Sequence, residues 1–175
     1  ATILLSYLVM YVPKFDYIQG RILSFFDRET GTHNFQSDKA LDSITSGGFF
    51  GKGIGEGILK NRVPEAHTDY IISVISEEFG VVSIMLILLL FLIFIYMVFK
   101  KISFETEDKT KLILIGSISL ILMQATIHVG VNIRLFPTTG MTLPFLSYGG
   151  SSLIGSAILA GLVLNYTKDK TYLYD

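Results

Sequence analysis

Hydrophobic and polar positions sort this chain into oily runs separated by polar stretches, and the lengths of the runs predict the elements. Residues 1–12, ATILLSYLVMYV, are apolar but reach only about 18 Å as a helix, short of the roughly 30 Å of bilayer hydrocarbon. Residues 1–13 are therefore expected to be the end of a span. Residues 14–70 are polar and carry both signs of charge, too long for a tight connection and expected to be a functional loop. Residues 71–99, 111–132 and 149–166 each predict a complete span. The predicted fold class is an all-α polytopic membrane protein with three complete transmembrane helices plus the end of a fourth, a long extracytoplasmic loop and a broken, re-entrant segment.

Inside the long loop, Ile18, Ile22, Phe25 and Phe26 fall at helical spacing and predict a short helix on the membrane surface, or a plug packed on neighbouring spans. Residues 37–46, SDKALDSITS, predict a brief helix with Ser37 as N-cap, Leu41 and Ile44 on its inner face and Gly47 as terminator. GGFFGKGIGEG follows. Its glycines at 51, 53, 55 and 57 alternate, so an extended backbone would have one bare face for another backbone or a substrate; flexible turns are the plainer alternative. Without GK[ST] or a strand-loop-helix unit, it is not a nucleotide loop.

The second complete span carries Gln124, His128 and Asn132 at i, i+4 and i+8, on one face that is expected to meet protein or a cavity. After it, residues 133–148 are apolar but interrupted by Pro137, Gly140 and Pro144, which excludes a continuous helix and predicts a re-entrant or capping segment. Two spans separate Asp69 from Arg134, so both loops fall on the same membrane face. Lysines in 100–111 and in the tail 167–175 favour the cytoplasm for those segments, and basic residues at the ends of the long loop nearly balance them.

Composition agrees with this reading: 50% of the 175 residues are hydrophobic and 17% charged, with a mean hydropathy of +0.55. The absence of cysteine removes disulfides and thiolate metal sites, and a net charge of -1 argues against nucleic acid. With no initiator Met and no signal-peptide pattern, the chain is expected to be part of a longer one.

Chemistry is expected where the polar loop meets the first complete span, in PEAHTDYIISVISEEFG. An extended backbone there would point Glu65, His67 and Asp69 to one side, with Glu77 and Glu78 as the last charges before the oily run. A carboxylate beside lipid loses hydration, which raises its proton affinity towards that of a general base. Asp69 is the leading catalytic candidate.

Three blocks, SGGFFGKGIGEG, VPEAHTDYIISVISEEFG and NIRLFPTTGMTLPFLSYGGSSL, resemble in order and spacing the SEDS family of bacterial peptidoglycan polymerases. PEAHTD looks more like its cell-division branch than its rod-elongation branch, which more often has Arg at the place of Ala66. The resemblance implies a C-terminal portion of such a protein in the bacterial inner membrane, with its site on the outer face. It implies polymerisation of lipid II into β-1,4 glycan, with the family's essential Asp falling on Asp69. The implied partners are a class B penicillin-binding transpeptidase and other divisome proteins. Lys52, Lys60, Arg62 and Arg134 are the cationic candidates for the leaving pyrophosphate, with Arg134 first. The family motifs add Glu65, His67, Thr68, Pro137, Thr138, Thr139, Gly140, Ser147, Tyr148, Gly149 and Gly150 as expected substrate-binding positions. His67 is as well explained by a structural hydrogen bond, and residues 147–150 by shaping a turn. A divalent cation, Mg or Mn, is implied as well, though no His and carboxylate set here specifies a protein-held site. Division-type members often carry Lys where this chain has Thr139, and Lys39 and Asp42 stand where uncharged residues are usual. The alternatives are a lipid II transporter and a non-catalytic divisome scaffold.

Overall fold

A computed structural model describes residues 32–63 and 65–168, with Gly20 and Phe25. The span end at 1–13, most of the surface helix expected around 18–26, and residues 169–175 of the tail lie outside the described residues. Among the described residues six continuous helices run in order: α1 (Thr32–Gly47), α2 (Leu59–Arg62), α3 (Ile71–Phe79), α4 (Val81–Phe104), α5 (Asp108–Asn132) and α6 (Gly150–Thr167). Among the described residues there is no strand. Among the described residues, α4, α5 and α6 are long and apolar enough to cross a membrane. At 24 residues, α4 is about 36 Å long, enough to cross the hydrocarbon with a turn to spare.

The apolar run expected as one span over 71–99 is two helices. Hydropathy is high on both sides of the break, so the pattern of oily residues does not reveal it; Gly80 makes it, at φ 82° and ψ 176°. An L side chain rarely adopts that backbone, and a Cβ there would lie 2.1 Å from the Phe49 carbonyl oxygen. Gly80→Ala is expected to destabilise the fold by about 2 kcal/mol through strain and displacement of the glycine-rich loop. Equal unfolding midpoints for the two proteins in the same detergent would refute this.

At the other end of the span, α4 continues through Phe104 and α5 begins at Asp108, so the hydrophilic turn expected over 100–111 shrinks to three residues. Charged side chains there do not stop a helix; they mark where it leaves the hydrocarbon. Asp108 sits in the first turn of α5, where the helix dipole favours an anion, and Thr110 Oγ1 donates to Glu107 Oε2 at 3.0 Å.

The brief helix expected over 37–46 is the longer α1, in which Ser37 is an interior residue rather than the N-cap. Its most buried face is Ser37, Ala40, Ser43 and Gly47, with Leu41 and Ile44 only half-buried. Small residues win that face because α3 lies very close: Ser76 Oγ reaches the Ile44 carbonyl at 3.5 Å. The helix does end at Gly47, and Gly48 follows with φ 58°.

Two apolar clusters hold these pieces. Ala40, Leu59, Val63, Ala66, Tyr70, Val74 and Val131 bind α1, α2, α3 and the turn before α3 to the end of α5. Burial of a side chain such as Leu59 contributes about 2 kcal/mol. Val98, Leu114, Ile118 and Val163 join α4, α5 and α6 nearer their opposite ends. Met85, Leu86, Leu89 and Leu90 remain exposed along α4, an apolar surface suited to hydrocarbon.

Candidate functional site

The turn before α3 is built by its own hydrogen bonds. Thr68 N and Asp69 N both donate to the Glu65 carbonyl, at 3.2 and 3.0 Å. This is a helical turn, not the extended backbone expected for 65–69, so Glu65 and Asp69 lie one turn apart on the same side and His67 lies opposite. Glu65 and His67 are exposed, whereas Thr68 and Asp69 are half-buried. The Thr68 hydroxyl donates to the Glu65 carbonyl at 3.1 Å.

Residues 133–149, between α5 and α6, contain no helix, as the prolines and glycines require. This segment folds back onto the Asp69 turn. Ser147 Oγ donates to the Thr68 carbonyl at 2.7 Å and accepts from Leu143 N at 2.8 Å. Tyr148 N donates to the His67 carbonyl at 3.1 Å, while the Tyr148 side chain is exposed. A Cβ placed at Gly140 would lie 3.6 Å from Asp69 Oδ2, which seats the carboxylate against the PTTG backbone. Thr139 and Gly140 are exposed and Pro137 and Thr138 half-buried beside it. Gly149 provides the extended residue that precedes α6, which Gly150 opens. The two loops that span counting placed on one face are thus in contact.

The polar face of α5 underlies this contact. Gln124 Nε2 donates to the Thr142 carbonyl at 3.0 Å and to Ser152 Oγ at 3.1 Å. His128 Nδ1 lies 2.8 Å from the Met141 carbonyl, so that nitrogen carries the proton. Asn132 Nδ2 donates to the Asp69 carbonyl at 3.0 Å, and Ser73 Oγ donates to Asn132 Oδ1 at 2.7 Å. These residues meet protein, as their spacing implied, although their main partners are loops rather than other spans.

Of the cationic candidates whose side chains are described, Lys52 and Arg134 pair with other carboxylates. Lys52 pairs with Glu77 at 3.0 Å, at the far end of α3, about 12 Å of helix from Asp69. Arg62 is exposed on α2, and the Lys60 side chain lies outside the described residues. Arg134 is nearer, just past Asn132, with a left-handed backbone at φ 60° and its Nη1 ion-paired to Asp38 of α1. Asp38 escapes sequence reasoning because its partner is 96 residues away.

Glu77, only 2% exposed, is the keystone of the glycine-rich loop. Burial alone would raise its pKa, but hydrogen bonds from the Leu59 and Ile58 backbone and the Lys52 ammonium together hold it below the ordinary carboxylate value. The loop is a series of turns, not an extended strand with one bare face. Gly51, Gly53 and Gly55 all have positive φ, and Lys52 N and Gly53 N donate to the carbonyls of Glu77 and Glu78 at 2.8 and 3.1 Å. At Gly51 a Cβ would fall 2.2 Å from the Glu78 carbonyl oxygen. The close approach that glycine spacing allowed is made by backbone.

Apolar helices that turn a carboxylate-bearing loop and a Pro/Gly-broken segment towards each other at one end define a multi-pass helical membrane protein. A family model described as cell cycle protein, for FtsW, RodA and SpoVE, matches residues 1–172, and the chain belongs to that family. It is 35% identical over 161 residues to a probable peptidoglycan glycosyltransferase FtsW of Caulobacter vibrioides, covering 91% of this chain and 41% of the relative. A protein of the same name from Enterococcus hirae is 35% identical over 173 residues, covering 93% of this chain and 44% of the relative. Among solved structures, one described as "Structural coordination of polymerization and crosslinking by a peptidoglycan synthase complex" aligns with a TM-score of 0.69 at 26% identity. That alignment covers 97% of this chain and 49% of the solved one, so the chain spans under half the length of these relatives.

Proposed function

We propose that this chain supplies the reaction centre of a cell-division peptidoglycan glycosyltransferase, on the outer face of the bacterial cytoplasmic membrane. The observation that carries the reading is the Asp69 carboxylate seated against Gly140, where the HTD turn and the PTTG segment meet at the end of the spans. The names of the relatives and the family match support it.

In this reading Asp69 accepts the proton of the acceptor N-acetylglucosamine 4-hydroxyl as that oxygen attacks the anomeric carbon of lipid-linked N-acetylmuramic acid. A β-1,4 bond forms and the bond to undecaprenyl pyrophosphate breaks. A sugar hydroxyl is a weak nucleophile, and a positioned base typically contributes about 10²- to 10⁴-fold. Segment 133–149 is re-entrant in this reading, its backbone satisfied by α5 and the Asp69 turn rather than by lipid.

Arg134 is the cation for the departing pyrophosphate. Asp38 takes its Nη1, and a guanidinium has five N–H donors with which to meet a second anion. Arg134→Ala is expected to raise KM for lipid II about tenfold, the weight of one charge-assisted hydrogen bond. An unchanged KM in a folded variant would remove Arg134 from the site. Among the described residues no three His, Asp or Glu side chains gather as a metal set; a divalent cation, Mg or Mn, would enter with the pyrophosphate oxygens rather than on a preformed protein cage.

The wild-type protein in lipid nanodiscs, incubated with labelled lipid II and a class B penicillin-binding partner, should yield lysozyme-sensitive glycan chains. Movement of lipid II between leaflets without glycan would favour the transporter. Neither activity, with partner recruitment intact, would favour the scaffold. The polar face of α5 lends the transporter no support, because Gln124, His128 and Asn132 all hydrogen-bond to protein.

A further inference from the structure

We propose that Asn132 is the positioning residue of the Asp69 turn, the last rung of a strip on α5 that fixes the carboxylate against the PTTG segment. This rests on the functional reading above for its catalytic consequence, though not for its geometry. Asn132 is fully buried, and both ends of its amide are occupied. Nδ2 donates to the Asp69 carbonyl at 3.0 Å and to the His128 carbonyl at 2.9 Å, while Oδ1 accepts from Ser73 Oγ at 2.7 Å and Ser73 N at 3.3 Å.

The fixed orientation of this amide is what makes it a positioning device. A single planar group ties the C-terminal turn of α5 to the residue that carries the carboxylate and to the first turn of α3. Two turns back along the same face, Gln124 grips Thr142 and Ser152, and between them His128 grips Met141. Asp69 and Gly140 are therefore each held to one rigid helix, by rungs at i+8 and at i and i+4. The separation between the carboxylate and the PTTG backbone is then set by the pitch of α5 rather than by loop flexibility. Neither Asn132 nor His128 is exposed, so neither meets solvent directly.

Since the chain has no cysteine, a thiol introduced at position 69 is its sole alkylation target. Asp69→Cys retains the backbone carbonyl that Asn132 holds. Adding Asn132→Leu, close in volume but without a donor, should raise the maleimide reaction rate at position 69 roughly five- to tenfold, the equivalent of one hydrogen bond. Asn132→Asp keeps the acceptor for Ser73 but loses the donor and should give a similar rise. Unchanged rates in variants that unfold at the wild-type midpoint would overturn the proposal without touching the function of Asp69. In the enzyme assay, Asn132→Leu should lower kcat about tenfold with KM for lipid II unaltered. A variant with wild-type kcat, beside an inactive Asp69→Asn, would refute the positioning role alone; activity in both would refute the catalytic reading instead. Where Asn132→Leu fails to fold, Ser73→Ala decides the matter, because it removes the shorter of the two bonds to Oδ1 and should raise the alkylation rate about twofold to fivefold. No change in that background counts against the proposal.

Discussion

Asp69→Asn is expected to lower the rate of glycan polymerisation from labelled lipid II by about 10²- to 10⁴-fold while leaving the protein folded. Asparagine has the shape of aspartate but cannot take a proton at neutral pH. Two contacts that place the turn are made through the Asp69 backbone, Asp69 N to the Glu65 carbonyl and the Asp69 carbonyl to Asn132, and the substitution leaves both in place. The loss should fall on kcat, with apparent affinity for the lipid-linked donor retained, because the hydroxyl proton is transferred only as the new bond forms. Normal polymerisation by a purified Asp69→Asn protein would show that the base lies elsewhere. A loss matched by a fall in the unfolding midpoint would make the residue structural.

The meeting of the two loops was legible before its geometry was. Hydropathy marks the spans, and counting them puts Asp69 and Arg134 at the same end; hydrogen bonds from Ser147 and Tyr148 to the Thr68 and His67 carbonyls close that contact. The spacing of Gln124, His128 and Asn132 announces a buried polar face because hydrocarbon tolerates none that is unpartnered. What the face grips was not legible, since Met141, Thr142 and Ser73 are ordinary members of apolar or turn-rich stretches.

The failures share a cause. Alternation of Glu65, His67 and Asp69, and of the glycines at 51 to 57, reads as extended chain only if a strand partner exists, and among the described residues there is none. With helices as neighbours, the backbone satisfies its own groups by turning. Partners distant in sequence escaped for the same reason that local pattern cannot see tertiary packing. Asp38 lies on a helix whose packing on α3 is set by small residues, and Lys52 meets Glu77 only once Gly80 breaks the run from 71 to 99.

Glu77→Ala is expected to destabilise the protein by about 3 kcal/mol, the low end for breaking a buried ion pair because Lys52 remains one-third exposed. Removal strands the Leu59 N–H that Glu77 Oε2 accepts at 2.9 Å and releases the ammonium of Lys52. Glu77→Gln retains an acceptor of the same shape and should lose roughly half as much. The two also differ in acid. Because the folded protein holds this carboxylate below its ordinary pKa of 4.5, its contribution is complete above that pH and is lost as pH falls through the lower folded value. Wild-type stability should therefore drop more steeply below about pH 4.5 than that of Glu77→Gln, which has no proton to bind there. Parallel pH profiles in denaturant unfolding would show that Glu77 carries no such linkage. If instead Glu77→Ala unfolds normally but polymerises poorly, the Glu77–Lys52 pair belongs to the reaction centre, and Lys52 returns as a pyrophosphate ligand despite its place at the far end of α3.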